Sequence, residues 1–127
     1  MENKVLLVDD EPLILELGMA ALVKNPNIET LVASDGGQAL EICASEHPGL
    51  VFLDVMMPDM DGFTVCREIK QDPSTAHIKV VVVSALAQRS TVEEAEAAGA
   101  DGFMSKPFRP SELRRKVEEL LDQDLAA

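Results

Sequence analysis

Charged and polar residues stand at the ends of short apolar runs in this chain. Asp9, Asp10 and Glu11 follow the run VLLV, and Asp54 follows the run LVFL. Carboxylate oxygens are preferred ligands of Mg²⁺, which keeps coordination positions open for phosphate oxygens. No histidine or cysteine follows these runs to offer a softer ligand. The residue types therefore favour Mg²⁺ over Zn²⁺.

A hydroxyl group and an ammonium group follow two later apolar runs. Ser84 follows four consecutive valines, and Lys106 follows the run GFMS and precedes Pro107. The proline restricts the backbone of Lys106 to extended geometry and so helps to aim its side chain. Lys106 could bind a phosphate group, or it could simply pair with the acidic residues. Ser84 says less by itself, because serine is common in turns at strand ends.

The apolar runs predict strands that are buried on both faces, and the longer segments between them have the spacing of helices. The predicted strands are Lys4–Val8, Ile28–Ala33, Leu50–Leu53, Lys79–Val83 and Gly102–Ser105. The predicted helices are Pro12–Lys24, Gly37–Ser45, Gly62–Gln71, Thr91–Ala98 and Pro110–Asp122.

Several residues at the predicted helix ends support these boundaries. Proline suits a first helical position, an acceptor side chain followed three residues later by Gln or Glu predicts a capping box, and glycine suits a left-handed helix end. These residues are Pro12 and Pro110, the pairs Asp35 with Gln38 and Ser90 with Glu93, the cap Asp61, and Gly99.

Buried strands that alternate with helices predict an α/β fold, a parallel sheet covered on both faces. Ligands of such sheets bind at the carboxyl ends of the strands. We therefore expect Asp9, Asp10, Asp54, Ser84 and Lys106 to converge on one edge. Carboxylates brought so close together raise one another's pKa unless a cation compensates them.

Composition limits the class of protein. The chain has 127 residues, of which 46% are hydrophobic and 27% charged, and these values predict one globular domain over residues 1–127. A net charge of −12 argues against direct binding to nucleic acid or to anionic membranes. The N-terminus has no signal-peptide pattern, so we expect a cytoplasmic protein. Cys43 and Cys66 are expected to be buried thiols.

Four segments, LLVDDEP, FLDVMMPDMDGF, VVSA and GADGFMSKPF, occur in this order. Together they resemble the signature segments of response regulator receiver domains of two-component signalling, of the chemotaxis-regulator type. The resemblance covers nearly the whole chain. It implies a flavodoxin-like, doubly wound fold with five helices and a five-stranded parallel sheet in the order 2-1-3-4-5.

The resemblance also implies roles for individual residues. Asp54 would be the phosphoacceptor. Asp9 and Asp10 would hold Mg²⁺ together with Asp54 and the backbone carbonyl of Met56.

Further roles follow from the same resemblance. Ser84 and Lys106 would hold the phosphoryl oxygens, and the Lys106–Pro107 bond would be cis. Phe103 would be a switch residue that responds to Ser84, although an ordinary core position for this ring stays open.

The implied function is a phosphorylation-dependent signalling module rather than an enzyme with an external substrate. A histidine kinase or phosphotransfer protein would supply the phosphoryl group, and the surface of the fourth and fifth helices would change for a downstream partner. Basic residues on these helices could form a docking face or a solvated helix surface. They are Arg89, Arg109, Arg114, Arg115 and Lys116.

Three other functions are disfavoured by particular residues. A phosphohydrolase with an aspartate nucleophile would want a second acid two residues after Asp54, where Met56 stands. A flavin carrier would want a phosphate-binding loop after the first strand, where the acids stand. A receiver-like scaffold that is never phosphorylated would not need the full set of site residues. Asp59 and His77 are assigned no chemistry.

Overall fold

The computed structural model describes residues 3–86 and 88–121, in which five strands alternate with five helices. The strands are β1 (Asn3–Val8), β2 (Ile28–Ala33), β3 (Leu50–Asp54), β4 (Lys79–Ser84) and β5 (Gly102–Ser105). The helices are α1 (Pro12–Leu22), α2 (Gly36–Glu46), α3 (Gly62–Gln71), α4 (Arg89–Ala97) and α5 (Pro110–Leu121).

All strand pairs are parallel, and the sheet has the order β2-β1-β3-β4-β5. The predicted fold class and strand order are therefore confirmed. The central strands are in register near their carboxyl ends, where Asp54 pairs with Val83 and Ser84 pairs with Ser105. This register places the site residues of β3 and β4 at the same edge.

Alternation along the strands fills two cores. On β1, Val5 and Leu7 face the core beneath α1 and α5, whereas Leu6 and Val8 face the core beneath α2, α3 and α4. Successive side chains of a strand point to opposite faces, so a strand that is covered on both faces reads as a continuous apolar run. This burial holds for β1, β3 and β4, whereas the predicted burial of β2 and β5 on both faces is wrong, because these strands form the edges of the sheet and are only partly buried.

Two helix caps have the predicted residues. The carboxylate of Asp35 accepts a hydrogen bond from the Gln38 amide at 2.8 Å, and that of Asp61 accepts one from the Thr64 amide at 2.8 Å. At the other end of a helix, Gly99 has a φ of +93°, the left-handed conformation that favours glycine. These local patterns therefore set the boundaries of α2, α3 and α4.

The predicted capping box of α4 is wrong. The helix begins at Arg89, Gln88 is the N-cap, and no side chain caps the first turn. Glu93 pairs with Arg89, four residues earlier, at 3.4 Å. Since Arg89 already lies inside the helix, Ser90 is an interior residue and cannot act as the cap.

The helices are short. The longest, α5, has 12 residues over Pro110–Leu121, and Asp122, its predicted end, lies outside the described residues. Helix α1 ends at Leu22 rather than at Lys24, shortly before Asn25, which as the residue before Pro26 disfavours helical geometry. Within residues 3–86 and 88–121, no helix has both the length and the apolar character needed to span a bilayer.

Gly62 begins α3 directly against the carboxyl end of β3. Its amide donates to the Val55 carbonyl at 2.8 Å. A Cβ atom at this position would collide with the Asp54 carbonyl oxygen and lie 2.9 Å from the Val55 Cα. Only glycine allows α3 to approach the backbone of Asp54 this closely.

We therefore expect Gly62→Ala to lower the free energy of unfolding by about 1–3 kcal/mol, because backbone atoms cannot rotate away from the added methyl group. The matched control is Gly37→Ala near the start of α2, where an added Cβ meets only side-chain atoms, at 3.6 and 3.7 Å. Chemical denaturation measures both variants. Equal stability of the two would contradict the close approach.

Candidate functional site

The predicted site residues converge at the carboxyl edge of the sheet. Asp9, Asp10 and Asp54 each offer a carboxylate oxygen, and the three oxygens lie within 4.8 Å of one another. The residues are unequally exposed: Asp9 retains 3% of its surface and Asp54 5%, whereas Asp10 is exposed. The site is thus a pair of buried carboxylates with a third at its opening.

Backbone hydrogen bonds fix this edge. Three amides that lie just beyond strand ends donate to neighbouring strands and so extend the pairing of the sheet by one residue. These hydrogen bonds run from Asp9 to Ala33 at 3.1 Å, from Val55 to Val83 at 3.2 Å and from Lys106 to Ser84 at 2.9 Å. The backbone of the site is therefore an extension of the sheet rather than a set of independent loops.

The ammonium of Lys106 joins the two buried carboxylates. Its Nζ lies 2.7 Å from Asp9 Oδ2 and 3.1 Å from Asp54 Oδ1, whereas Glu11 Oε1 lies at 4.0 Å. The Lys106–Pro107 peptide bond is cis. Lys106 thus pairs with the acidic residues in this structure, and its binding of a phosphate group stays a prediction.

These contacts change the ionisation of both partners. Burial raises the pKa of Asp54, the negative charge of Asp9 raises it further, and the ion pair with Lys106 only partly opposes the rise. Burial acts against the charge of Lys106, but hydrogen bonds to Asp9 and Asp54 raise its pKa overall. The negative charge of Asp54 is therefore compensated only in part, whereas Lys106 stays protonated.

Two side chains of the site are held by the loops that follow them. The Leu86 amide donates to Ser84 Oγ at 2.9 Å, and the Glu11 amide donates to Asp9 Oδ1 at 2.9 Å. Ser84 is 2% exposed, so its hydroxyl lies beneath the surface of the site. Each loop orients one polar group of the site.

The acidic group suits a hard divalent cation. Its donors are all oxygens, and two of the three carboxylates are buried and hence held in place. Lys106 balances only part of their negative charge. The Met56 side chain is 68% exposed beside this edge, and the role of its carbonyl stays a prediction.

Phe103 lies on β5, where it pairs with Val82 of β4. It is half-buried and packs against the core beneath α2, α3 and α4. It also lines two surface grooves, one with Val92 and Ala95 of α4 and one with Arg115 and Lys116 of α5. Phe103 thus lies beside residues of both α4 and α5, and its response to Ser84 stays a prediction.

Asp59 has a structural role that the sequence analysis missed. Its carboxylate accepts hydrogen bonds from the amides of Gly36 at 2.9 Å and Gly37 at 3.0 Å, which lower its pKa. The contact ties the loop after β3 to the start of α2. Nothing in the local sequence marks it, because the partners are more than 20 residues apart.

The two cysteines are buried and free, as predicted. Burial raises the pKa of both thiols to about 11. They are therefore neutral structural groups rather than part of the site.

Comparison with known proteins identifies the family. The sequence model of the response regulator receiver domain matches residues 5–118. The chain belongs to this family. The receiver domain is 41% identical over 120 residues to the response regulator PleD of Caulobacter vibrioides, and this alignment covers 94% of the chain but only 26% of PleD.

Solved structures agree. The chemotaxis protein CheY4 of Vibrio cholerae superposes with a TM-score of 0.88 at 26% identity, over 94% of this chain and 99% of that one. The BeF₃-activated receiver domain of DrrB, a Thermotoga maritima protein, gives a TM-score of 0.83 at 31% identity, over 97% and 100% of the two chains. The receiver domain thus has the flavodoxin-like fold that the resemblance implied.

The raised pKa of Asp54 predicts a pH-dependent effect on stability. Between the usual Asp value of 3.8 and the raised value, the folded protein binds a proton that the unfolded chain has lost, so stability falls as pH rises through this range. We expect Asp54→Asn to raise the melting temperature at pH 7 in EDTA, and the gain to shrink as the solution is made acidic.

Thermal unfolding followed by circular dichroism measures this difference. The control is Asp61→Asn, because asparagine also caps a helix and Asp61 is exposed outside the acidic group. A gain that is the same at every pH would show that burial of the Asp54 charge is not its cause.

Proposed function

We propose that this receiver domain accepts a phosphoryl group on Asp54 and changes its surface for a partner when it does so. The observation that carries the proposal is the buried Asp54 carboxylate, grouped with two further carboxylates within 4.8 Å and paired with Lys106 at 3.1 Å. Phosphoryl transfer needs a positioned nucleophile and compensation of the negative charge on phosphorus-bound oxygens, more than it needs proton transfer.

The transfer uses Asp54 and Lys106 directly. A carboxylate oxygen of Asp54 forms a bond to phosphorus as the bond to the donor nitrogen breaks. Lys106 and the Ser84 hydroxyl then bind phosphoryl oxygens. Since Asp54 becomes an acyl phosphate, the ammonium of Lys106 exchanges a carboxylate partner for a phosphoryl one, while Asp9 keeps its contact with Nζ.

Asp9, Asp10, Asp54 and the Met56 carbonyl would hold Mg²⁺. The bound ion supplies positive charge that compensates the carboxylates and the incoming phosphoryl group. Asp9 and Asp54 are held by the sheet and by Lys106, so they present their oxygens with little loss of freedom. Asp10 is exposed and serves at the opening of the site.

The switch would run from Ser84 to Phe103. A phosphoryl group would draw the Ser84 hydroxyl from the Leu86 amide, which it meets at 2.9 Å, and so shift the loop before α4. Phe103 lines the grooves of both α4 and α5, so its movement inward would reshape the α4–α5 surface. Two basic residues of this surface pair within their own helices among the described residues, Arg89 with Glu93 and Lys116 with Glu119.

The partners follow from this role. A histidine kinase or phosphotransfer protein would donate the phosphoryl group, and a downstream protein would read the α4–α5 surface. The relatives support this assignment, since PleD is a response regulator and CheY4 is a chemotaxis protein. The chain spans 26% of the length of PleD, so the activity of any whole protein is also part of the proposal.

The domain would act on itself and not turn over an external substrate. The acid that a phosphohydrolase would want two residues after its nucleophile is replaced by Met56, whose side chain is 68% exposed. We further propose a single domain over residues 1–127, in the cytoplasm, without direct binding to nucleic acid or membrane.

Incubation with acetyl phosphate and Mg²⁺ should add one phosphoryl group at Asp54, detected by intact mass. EDTA and Asp54→Asn should each abolish the added mass, because the first removes the compensating charge and the second the nucleophile. The control Asp61→Asn changes a neighbouring exposed carboxylate and should label normally. Labelling of Asp54→Asn at the parent level would reject Asp54 as the acceptor.

The phosphorylated form should be long-lived. Met56 and Leu86 stand two residues beyond Asp54 and Ser84 and are 68% and 49% exposed, and neither can orient a water molecule by hydrogen bonding. We expect the double variant Met56→Asn, Leu86→Glu to lose its phosphoryl group faster than the parent. Decay of the phosphorylated mass after donor removal measures both. Equal decay would show that these side chains do not control access of water.

A further inference from the structure

The two histidines of the chain meet, although thirty positions separate them in the sequence. The rings of His47 and His77 are stacked, with centroids 6.1 Å apart and planes 26° apart. Both residues are exposed, and His77 is so as the sequence predicted. A backbone hydrogen bond of 3.2 Å from the Lys79 amide to the Gly49 carbonyl holds the two connections together.

The pair lies far from the acidic site. His47 precedes β3 and His77 precedes β4, so both stand at the amino edge of the sheet, whereas Asp54 and Ser84 end the same strands. A strand of five residues spans roughly 16 Å at about 3.3 Å per residue. A ligand at the histidines is therefore separate from one at the carboxylates.

His47 holds an unfavourable backbone conformation. It caps α2 with φ 47° and ψ 60°, the left-handed region, which is uncommon for residues other than glycine. Glycine or asparagine would serve better as a helix end. This conformation ends α2, where the His47 amide donates to the Cys43 carbonyl at 3.2 Å, and it carries the imidazole to a position beside His77.

The spacing of the rings fits two ligands of one metal ion. A metal–nitrogen distance of about 2.0–2.1 Å puts each ring centroid roughly 3.2 Å from the ion, so two ligating rings stand roughly 4.5–6.4 Å apart as the nitrogen–metal–nitrogen angle opens from about 90° to about 180°. The observed 6.1 Å falls in this range. Because both rings are exposed, rotation about their side-chain bonds can turn one nitrogen of each toward a shared position.

We propose that His47 and His77 form a second cation site, which binds a divalent transition metal such as Zn²⁺ or Ni²⁺. Imidazole nitrogen is a ligand for these ions, whereas Mg²⁺ prefers the oxygens of the acidic group. Water completes the coordination. The bound ion links the connection between α2 and β3 to that between α3 and β4, and it stabilises the folded state because the unfolded chain does not hold the two rings together.

Calorimetric titration of the untagged protein with Ni²⁺, in excess Mg²⁺ to occupy the carboxylates, tests the site. We expect one ion per chain, and a loss of affinity of roughly tenfold or more in either His47→Asn or His77→Asn, because one imidazole alone loses the chelate effect. Asparagine tolerates the left-handed conformation, so His47→Asn keeps the fold. Asp54→Asn is the control for the acidic site and should bind Ni²⁺ as the parent does.

The location of the ion is tested by nuclear magnetic resonance. Paramagnetic Ni²⁺ should broaden the amide signals around His47, Gly49 and Lys79 before those around Asp9 and Asp54. Affinity that is unchanged in both histidine variants, or broadening centred on the carboxylates, would overturn the proposal. Neither outcome would bear on phosphorylation of Asp54, which the acetyl phosphate experiment tests separately.

Discussion

The ammonium of Lys106 holds two buried carboxylates that would otherwise repel each other. It lies 2.7 Å from Asp9 and 3.1 Å from Asp54, and all three side chains are largely removed from water. In such surroundings an unpaired charge is costly, so the backbone must place the Lys106 ammonium within reach of both carboxylates. The strand ends, loops and helix starts around Lys106 determine this placement.

Backbone hydrogen bonds just beyond the strand ends position these residues. The amide of Lys106 donates to the carbonyl of Ser84, and the amide of Asp9 donates to the carbonyl of Ala33, which ends β2. The side chains thus begin from positions that the sheet itself fixes. Polar groups on such a rigid base can be held in geometry suited to phosphoryl transfer without an added cost of ordering when a ligand binds.

The segment between β3 and α3 is fixed from two sides. Gly62 lets α3 begin against the backbone of Asp54, and Asp59 binds the amides that begin α2. The loop that carries Met56 is therefore anchored at several points between β3 and α3. By contrast, Phe103 is only half-buried on β5 and lines grooves at both α4 and α5.

The sequence by itself determined the elements and the edge at which they present their polar residues. Continuous apolar runs identify strands buried on both faces, and parallel strands share one carboxyl edge, so the meeting of Asp9, Asp54 and Lys106 could be predicted from order alone. The caps Asp35 and Asp61 could be predicted because a cap and its partner are three residues apart.

Tertiary structure decided which of these groups are partners. Lys106 pairs with Asp9 and Asp54, whereas Glu11 lies 4.0 Å away. These distances arise only after the strands pair. The same is true of Asp59 with the start of α2 and of His47 with His77. Local spacing governs hydrogen bonds within a turn of helix, whereas contacts between distant residues depend on how whole elements pack.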